Sequence, residues 1–344
     1  MCVVIMKKSK IFSVIMFFTL APMLYHADYV TEGARYGLLL WYNSVVPALF
    51  PFMVLSGLIV SGGGVQILME PVYRLLRPFL PITKDGCYVL VSGLLCGYPM
   101  GAKTCADFVR DGQITEHEGR FLMAICNHPS PMFVLGYVYP FFAEFLPVWQ
   151  LLICIYAPVI LLAFIAKKVY QHSDHSNPNK KKGSERISNT RSNINPVKAN
   201  EERNIRKKSA DETILSSIEI LCKIGGYLVL FSIVIVFLRH AAWIPTPIRL
   251  ALIGGMEMTT GIRELTASLP FLPAFISSIA ALTFGGLSGI FQTKAVIANS
   301  SDSDAGPSSN EKKAGLSIRP YIFWKLIHAA LSAGVAFFLC IMLQ

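Results

Sequence analysis

Ser92–Lys103 reads SGLLCGYPMGAK, and its twelve residues carry three glycines, a proline and a lysine in an otherwise apolar neighbourhood. Glycine and proline are poor helix-interior residues, and lysine is costly in hydrocarbon. A helix meeting this stretch inside a bilayer would break there. Irregular backbone at membrane depth is tolerated only where protein or a watery cavity surrounds it. The stretch therefore predicts a re-entrant hairpin over 86–110, provided that the chain lies in a membrane.

The rest of the sequence supplies that condition. The 344 residues are 53% hydrophobic and only 15% charged, against about a quarter charged in a soluble domain. Apolar runs near 11–30, 38–61, 119–143, 147–166, 214–239, 271–297 and 319–343 approach the roughly 20 residues that a spanning helix needs. The first follows Lys7, Lys8 and Lys10 like a signal peptide, but Ala21-Pro22-Met23 is a poor cleavage site, so it reads as a retained helix. Residues 66–80 (QILMEPVYRLLRPFL) mix apolar and basic side chains and suit an interfacial helix.

The net charge of +10 is concentrated. Residues 167–212 hold twelve Lys or Arg and six Asp or Glu among Asn and Ser, a composition that predicts a disordered, solvated loop. Its basicity places it in the cytoplasm and argues for a topogenic role over nucleic-acid binding. The eight cysteines show no CxxC pair and no zinc-type spacing with histidine, so they read as buried free thiols. No cofactor is implied.

With the N-terminal lysines and loop 167–212 both inside, 86–110 must enter and leave on the cytoplasmic face. By the same count 248–268 enters and leaves on the outer face. The expectation is an all-α polytopic membrane protein of about seven transmembrane helices plus two re-entrant broken hairpins in an inverted repeat. Its parts are an N-terminal membrane helix and connector (1–37), a first repeat (38–143), a linking helix (144–166), the basic loop (167–212), a second repeat (213–298), a polar loop (299–318) and a C-terminal helix (319–344). Paired Gly/Pro-interrupted apolar segments in two halves are the sequence pointer to a transporter's binding site.

Two blocks carry a resemblance. GYPMGAK, followed by CNHPSPMF at Cys126–Phe133, resembles the nucleoside-recognition Gate domain proteins, and more closely the YlbJ/SpoVV family of sporulation integral membrane proteins. The resemblance implies Gate-like repeats and a multi-pass protein of the outer forespore membrane of a spore-forming bacterium. It also implies movement of dipicolinate across that membrane during sporulation. A nucleoside or other small-solute transporter of the Gate type, or a non-transporting sporulation scaffold, are the other readings that it leaves.

The residues themselves suggest how an anion would be held. A break at Gly97–Gly101 would start a half-helix whose free N–H groups favour an anion, with Lys103 in its first turn and Thr104 beside it. Tyr98 adds an aromatic face with a hydroxyl tip. In GGMEMTTGIREL, Thr259 and Thr260 precede a second break at Gly261, and Arg263 offers a fork suited to carboxylate. Glu257 or Glu264 could instead neutralise Arg263 internally. The prolines of CNHPSPMF must open the backbone beside Asn127, His128 and Ser130. Ser288 lies within the glycine-rich FGGLSG stretch, and Gln292 one turn later is a polar liner. The candidate substrate-binding set is thus Tyr98, Gly101, Lys103, Thr104, Asn127, His128, Ser130, Thr259, Thr260, Arg263, Ser288 and Gln292. No nucleophile–base spacing points to an enzyme, and no P-loop points to ATP. The expected partners are a small anionic solute and the lipid bilayer, without nucleic acid, and homo-oligomerisation is left open.

Overall fold

Apolar content and local breakers together determine where the helices run. In the computed structural model, residues 17, 20–62, 64–175, 209–302 and 316–342 are described, and no strand occurs among them. The basic N-terminal residues, the basic stretch 176–208 and the polar stretch 303–315 lie outside the described residues.

Helix α1 (Ala27–Leu40) passes through a π-helical turn, Trp41–Val45, directly into α2 (Val46–Ser61). Pro47 and Pro51 cannot donate to the ladder, and a π turn is one way a helix absorbs such a defect without ending. The 35 residues Ala27–Ser61 form one apolar span, about 52 Å long at the α-helical rise. This corrects the expected connector before residue 38: 31–37 are helical, and the interruption falls at His26, with φ −114° and ψ 60°.

Helix α3 (Val65–Leu76) is the amphipathic segment expected at the interface, with Glu70 bridged to Arg74 and Lys84. The first hairpin follows as α4 (Lys84–Cys96) and α5 (Met100–Arg110), and α6 (Glu116–Ile125) leads to α7 (Pro131–Phe141). Long helices α8 (Val148–His175) and α9 (Ala210–His240) flank the basic stretch. Then come the second hairpin, α10 (Thr246–Met256) and α11 (Met258–Ser268), the pair α12 (Phe271–Phe284) and α13 (Gly286–Asp302), and α14 (Ile318–Met342).

Five segments among the described residues are long and apolar enough to cross a membrane: Ala27–Ser61, Val148–Tyr170, Ala210–His240, Phe271–Ala298 and Ile318–Met342. Two expected continuous spans are broken instead. Residues 119–143 divide into α6 and α7 around an irregular stretch, and 271–297 divides into α12 and α13 at Gly285–Gly286.

Small residues set the packing. A Cβ on Gly33 would meet Ile233 Cα at 2.5 Å, and one on Gly37 would meet Val229 Cα at 2.7 Å. Gly57 meets the Thr213 side chain, so α1–α2 and α9 run antiparallel in close backbone contact. Apolar side chains of α7, α8, α12 and α14, among them Val134, Leu151, Phe275 and Ala336, close a second core.

The start of α4 is held by a contact 35 residues away in sequence. Thr83 N and Oγ1 donate to Glu118 Oε1 at 2.6 and 2.9 Å, while Thr83 Oγ1 accepts from Gly86 N. Glu118 is buried, so its truncation strands two donors. Glu118→Ala is expected to cost about 1–3 kcal/mol in detergent unfolding experiments, and Glu118→Gln, which keeps an acceptor, to cost less.

Candidate functional site

Four backbone breaks meet in the interior. The first is Gly97-Tyr98-Pro99, where Gly97 takes φ 77° between α4 and α5. The second is Asn127–Ser130, where Pro129 and Pro131 prevent α6 from continuing. The third is Glu257, extended at φ −145° and ψ 120° between α10 and α11. The fourth is Gly285–Gly286, with φ 85° and 67°, a conformation that only glycine adopts readily.

These breaks pack on one another. Tyr98 N donates to His128 O at 2.8 Å, and a Cβ on Gly97 would lie 2.6 Å from Ser130 N. A Cβ on Gly286 would lie 2.8 Å from Met256 O. Tyr98 joins the two halves: its hydroxyl donates to Leu282 O at 3.3 Å and touches Met258 Sδ. Between the breaks lies a cavity of about 50 Å³, lined by Tyr98, Ser130, Glu257, Thr259, Ser288 and Gln292 on its polar side. Leu49, Phe133, Ile224 and Leu228 close the apolar side.

Both hairpin half-helices are capped from within the chain. Ala102 N donates to Asn127 Oδ1 at 3.3 Å, and Asn127 Nδ2 donates to Tyr321 Oη at 2.7 Å and Thr293 Oγ1 at 3.3 Å. Glu257 accepts from Thr259 N at 3.0 Å and Thr260 N at 2.8 Å, and also from the Thr259 hydroxyl. The carboxylate thus directs its charge onto the N-terminus of its own helix.

Lys325 was missed by the sequence reading. It lies on α14, is 4% exposed, donates from Nζ to Asn127 O at 3.2 Å, and sits 4.9 Å from the Tyr98 ring centroid. A Cβ on Gly285 would be 3.9 Å from Nζ, so the ammonium lies directly behind two cavity-lining residues. Among the described residues no carboxylate stands within ion-pair distance of it. The signal was available: Ile318–Met342 contains this lysine and no Asp or Glu, and a charge in an apolar span is a site hypothesis by default.

The expected residues therefore divide. Tyr98, Ser130, Thr259, Ser288 and Gln292 line the central cavity, where Gln292 Nε2 donates to Ser288 Oγ at 3.0 Å. Asn127, His128 and Thr260 are buried around it. Gly101 packs at the hairpin crossing. Lys103 and Thr104 face a second cavity of about 120 Å³ between α2, α5 and α9, where Lys103 pairs with Asp107 at 2.7 Å. Arg263 is exposed, with its guanidinium 5.6 Å from the Tyr36 ring centroid. Neither acid named for Arg263 pairs with it: Glu264 bonds Arg239 at 2.8 Å, and Glu257 caps α11. Lys103 and Arg263 are thus not brought together at the central cavity.

These features define a polytopic α-helical membrane protein whose broken helices converge on a small, largely apolar cavity with a few polar groups, backed by an ammonium. The chain is similar to the sporulation integral membrane protein YlbJ of Bacillus subtilis (strain 168), 27% identical over 296 aligned residues that cover 79% of this chain and 71% of the relative. That similarity supports membership of the YlbJ family, as the GYPMGAK and CNHPSPMF blocks imply. No protein-family model and no solved structure matches the chain.

Proposed function

We propose that the protein is a transporter of a small organic anion, dipicolinate, acting in sporulation at the outer forespore membrane. The observation that carries this reading is Lys325. Its ammonium is buried behind the cavity where four helix breaks meet, and among the described residues a neutral carbonyl and a ring face are what balance it. The nearby carboxylate of Glu257 is engaged by its own helix, so Lys325 is the charge left for a ligand. The name of the similar B. subtilis protein supplies the link to sporulation.

The paired hairpins support an inverted repeat with alternating access. Each crosses at a glycine pair, Gly93 with Gly101 and Gly254 with Gly261, and each is followed by a helix broken on the same cavity. In this reading the chain crosses the membrane seven times, counting its N-terminal segment and the broken pairs. A cavity of about 50 Å³ holds one or two waters and not a pyridine dicarboxylate, so loading must widen it.

Thermal unfolding of the purified full-length protein tests the proposal. Dipicolinate at a hundredfold excess over its Kd is expected to stabilise the fold by about 2.7 kcal/mol. Pyridine monocarboxylates should give a smaller shift at equal concentration. Stabilisation by nucleosides but by no anion would replace this reading with the nucleoside one.

A further inference from the structure

Two imidazoles stand beside Lys325 without lining the cavity. His128 lies in the break between α6 and α7, and His328 lies one turn beyond Lys325 on α14. Their rings meet edge to face, with centroids 5.0 Å apart and planes at 75°. Both are almost fully buried, at 2% and 1% exposure.

Each ring uses Nε2 on a backbone carbonyl, Ile125 O for His128 and Ile155 O at 3.0 Å for His328. A carbonyl only accepts, so both rings carry their proton on Nε2 and present a lone pair on Nδ1. Neither Nδ1 has a hydrogen-bond partner among the described residues. Two unmet acceptors in an apolar interior are destabilising, and each Nδ1 lone pair is free to take a proton.

Charge balance says when that proton is needed. A dicarboxylate brings two negative charges, and Lys325 answers one of them. The other would remain uncompensated in a low-dielectric site, which is costly. One proton on the histidine pair supplies a second positive charge, so that the dianion's two charges are each answered.

We propose that His128 and His328 form a site for a single proton that loads together with the anion, making the protein a proton–anion symporter. This rests on the anion-transport reading above. The proton comes from water on the side where the anion enters and adds to one Nδ1 lone pair. Both Nε2–H bonds to carbonyls persist, and the proton returns to water when the anion leaves. The titratable group that faces both rings is Lys325 on α14. Cys126 at the end of α6 stands by Lys325, and Tyr321 on α14, Tyr156 on α8 and Glu257 in the third break surround Tyr98, whose ring Lys325 approaches. Of these, Lys325 and Glu257 carry formal charge. Glu257 directs its charge to α11, which leaves the ammonium as the charge that opposes protonation until an anion offsets it.

The test uses purified full-length protein in weak buffer at about neutral pH with an indicator dye, titrated with dipicolinate while bound ligand is counted separately. The expected result is about one proton taken up per dianion bound. Wild-type affinity should fall by up to about tenfold per pH unit on the alkaline side, because proton and anion binding are reciprocally linked. The double variant His128→Gln, His328→Gln should bind dipicolinate more weakly, without proton uptake and with a flat pH dependence. Binding by wild type with no proton uptake overturns the proposal. If dipicolinate does not bind at all, the transport reading fails, and nitrogen NMR of isotope-labelled histidines in Lys325→Met judges the proton site separately. With the ammonium gone, lowering the pH should convert the pair to a shared imidazolium, both ring signals moving together. Two rings that stay neutral throughout the folded range overturn the proton site.

Discussion

Lys325→Met is expected to weaken dipicolinate binding by roughly 30-fold or more and leave the fold as stable as wild type, or more stable. The ammonium has one neutral oxygen as its hydrogen-bond partner and a ring face nearby, which does not offset the desolvation of a full charge. Replacing buried ionic groups by apolar ones of similar volume is neutral or stabilising by about 1–4 kcal/mol. For the ligand the sign reverses. Truncating one partner of a buried charge pair costs about 2–5 kcal/mol, or roughly 30- to 4,000-fold in affinity. Unfolding midpoints and dipicolinate binding, measured on the same preparations, separate the two effects. A folded Lys325→Met protein with wild-type affinity would remove the ammonium from the site. A variant that fails to fold would make Lys325 a structural residue.

The second large effect belongs to the hairpin crossing. A Cβ on Gly93 would lie 1.8 Å from Cys126 O, and one on Gly101 would lie 2.0 Å from the same oxygen. Both neighbours are backbone, so no side-chain rotation relieves the overlap. Overpacking typically costs about 1–3 kcal/mol, and Gly93→Ala and Gly101→Ala are expected at or beyond the upper end. Because Cys126 adjoins the second break, the displaced strand would also carry Asn127 away from Ala102 N and Lys325. Gly136→Ala and Gly226→Ala are the controls: nothing stands within 4 Å of either added methyl, so folding yield and midpoint should match wild type. Equal stability of all four variants would mean that the hairpin does not close on the second break.

Much of this architecture was legible because its causes are local. Apolar runs of spanning length place the chain in a membrane, and the prolines of CNHPSPMF and Gly97 of GYPMGAK end the helices that precede them. The Lys103–Asp107 pair was also within reach, since residues four apart share a helix face. The continuity of Ala27–Ser61 was harder to see, because a π turn accommodates prolines that otherwise signal an end.

The sequence by itself determined that helices break near Gly97, Pro129 and Glu257, through backbone sterics and missing donors that act within one turn, but not that the span 271–297 breaks at Gly285–Gly286. Only the tertiary structure decided what the breaks enclose. Asn127 caps a helix that starts 27 residues before it, and Lys325 reaches Asn127 O across 198 residues, while Lys103, the cation nearest the motif, turns to Asp107 in another cavity. Burial of a charge depends on which distant helices pack over it, and here α14 carries its lysine behind Tyr98 and Gly285, at the centre of the bundle.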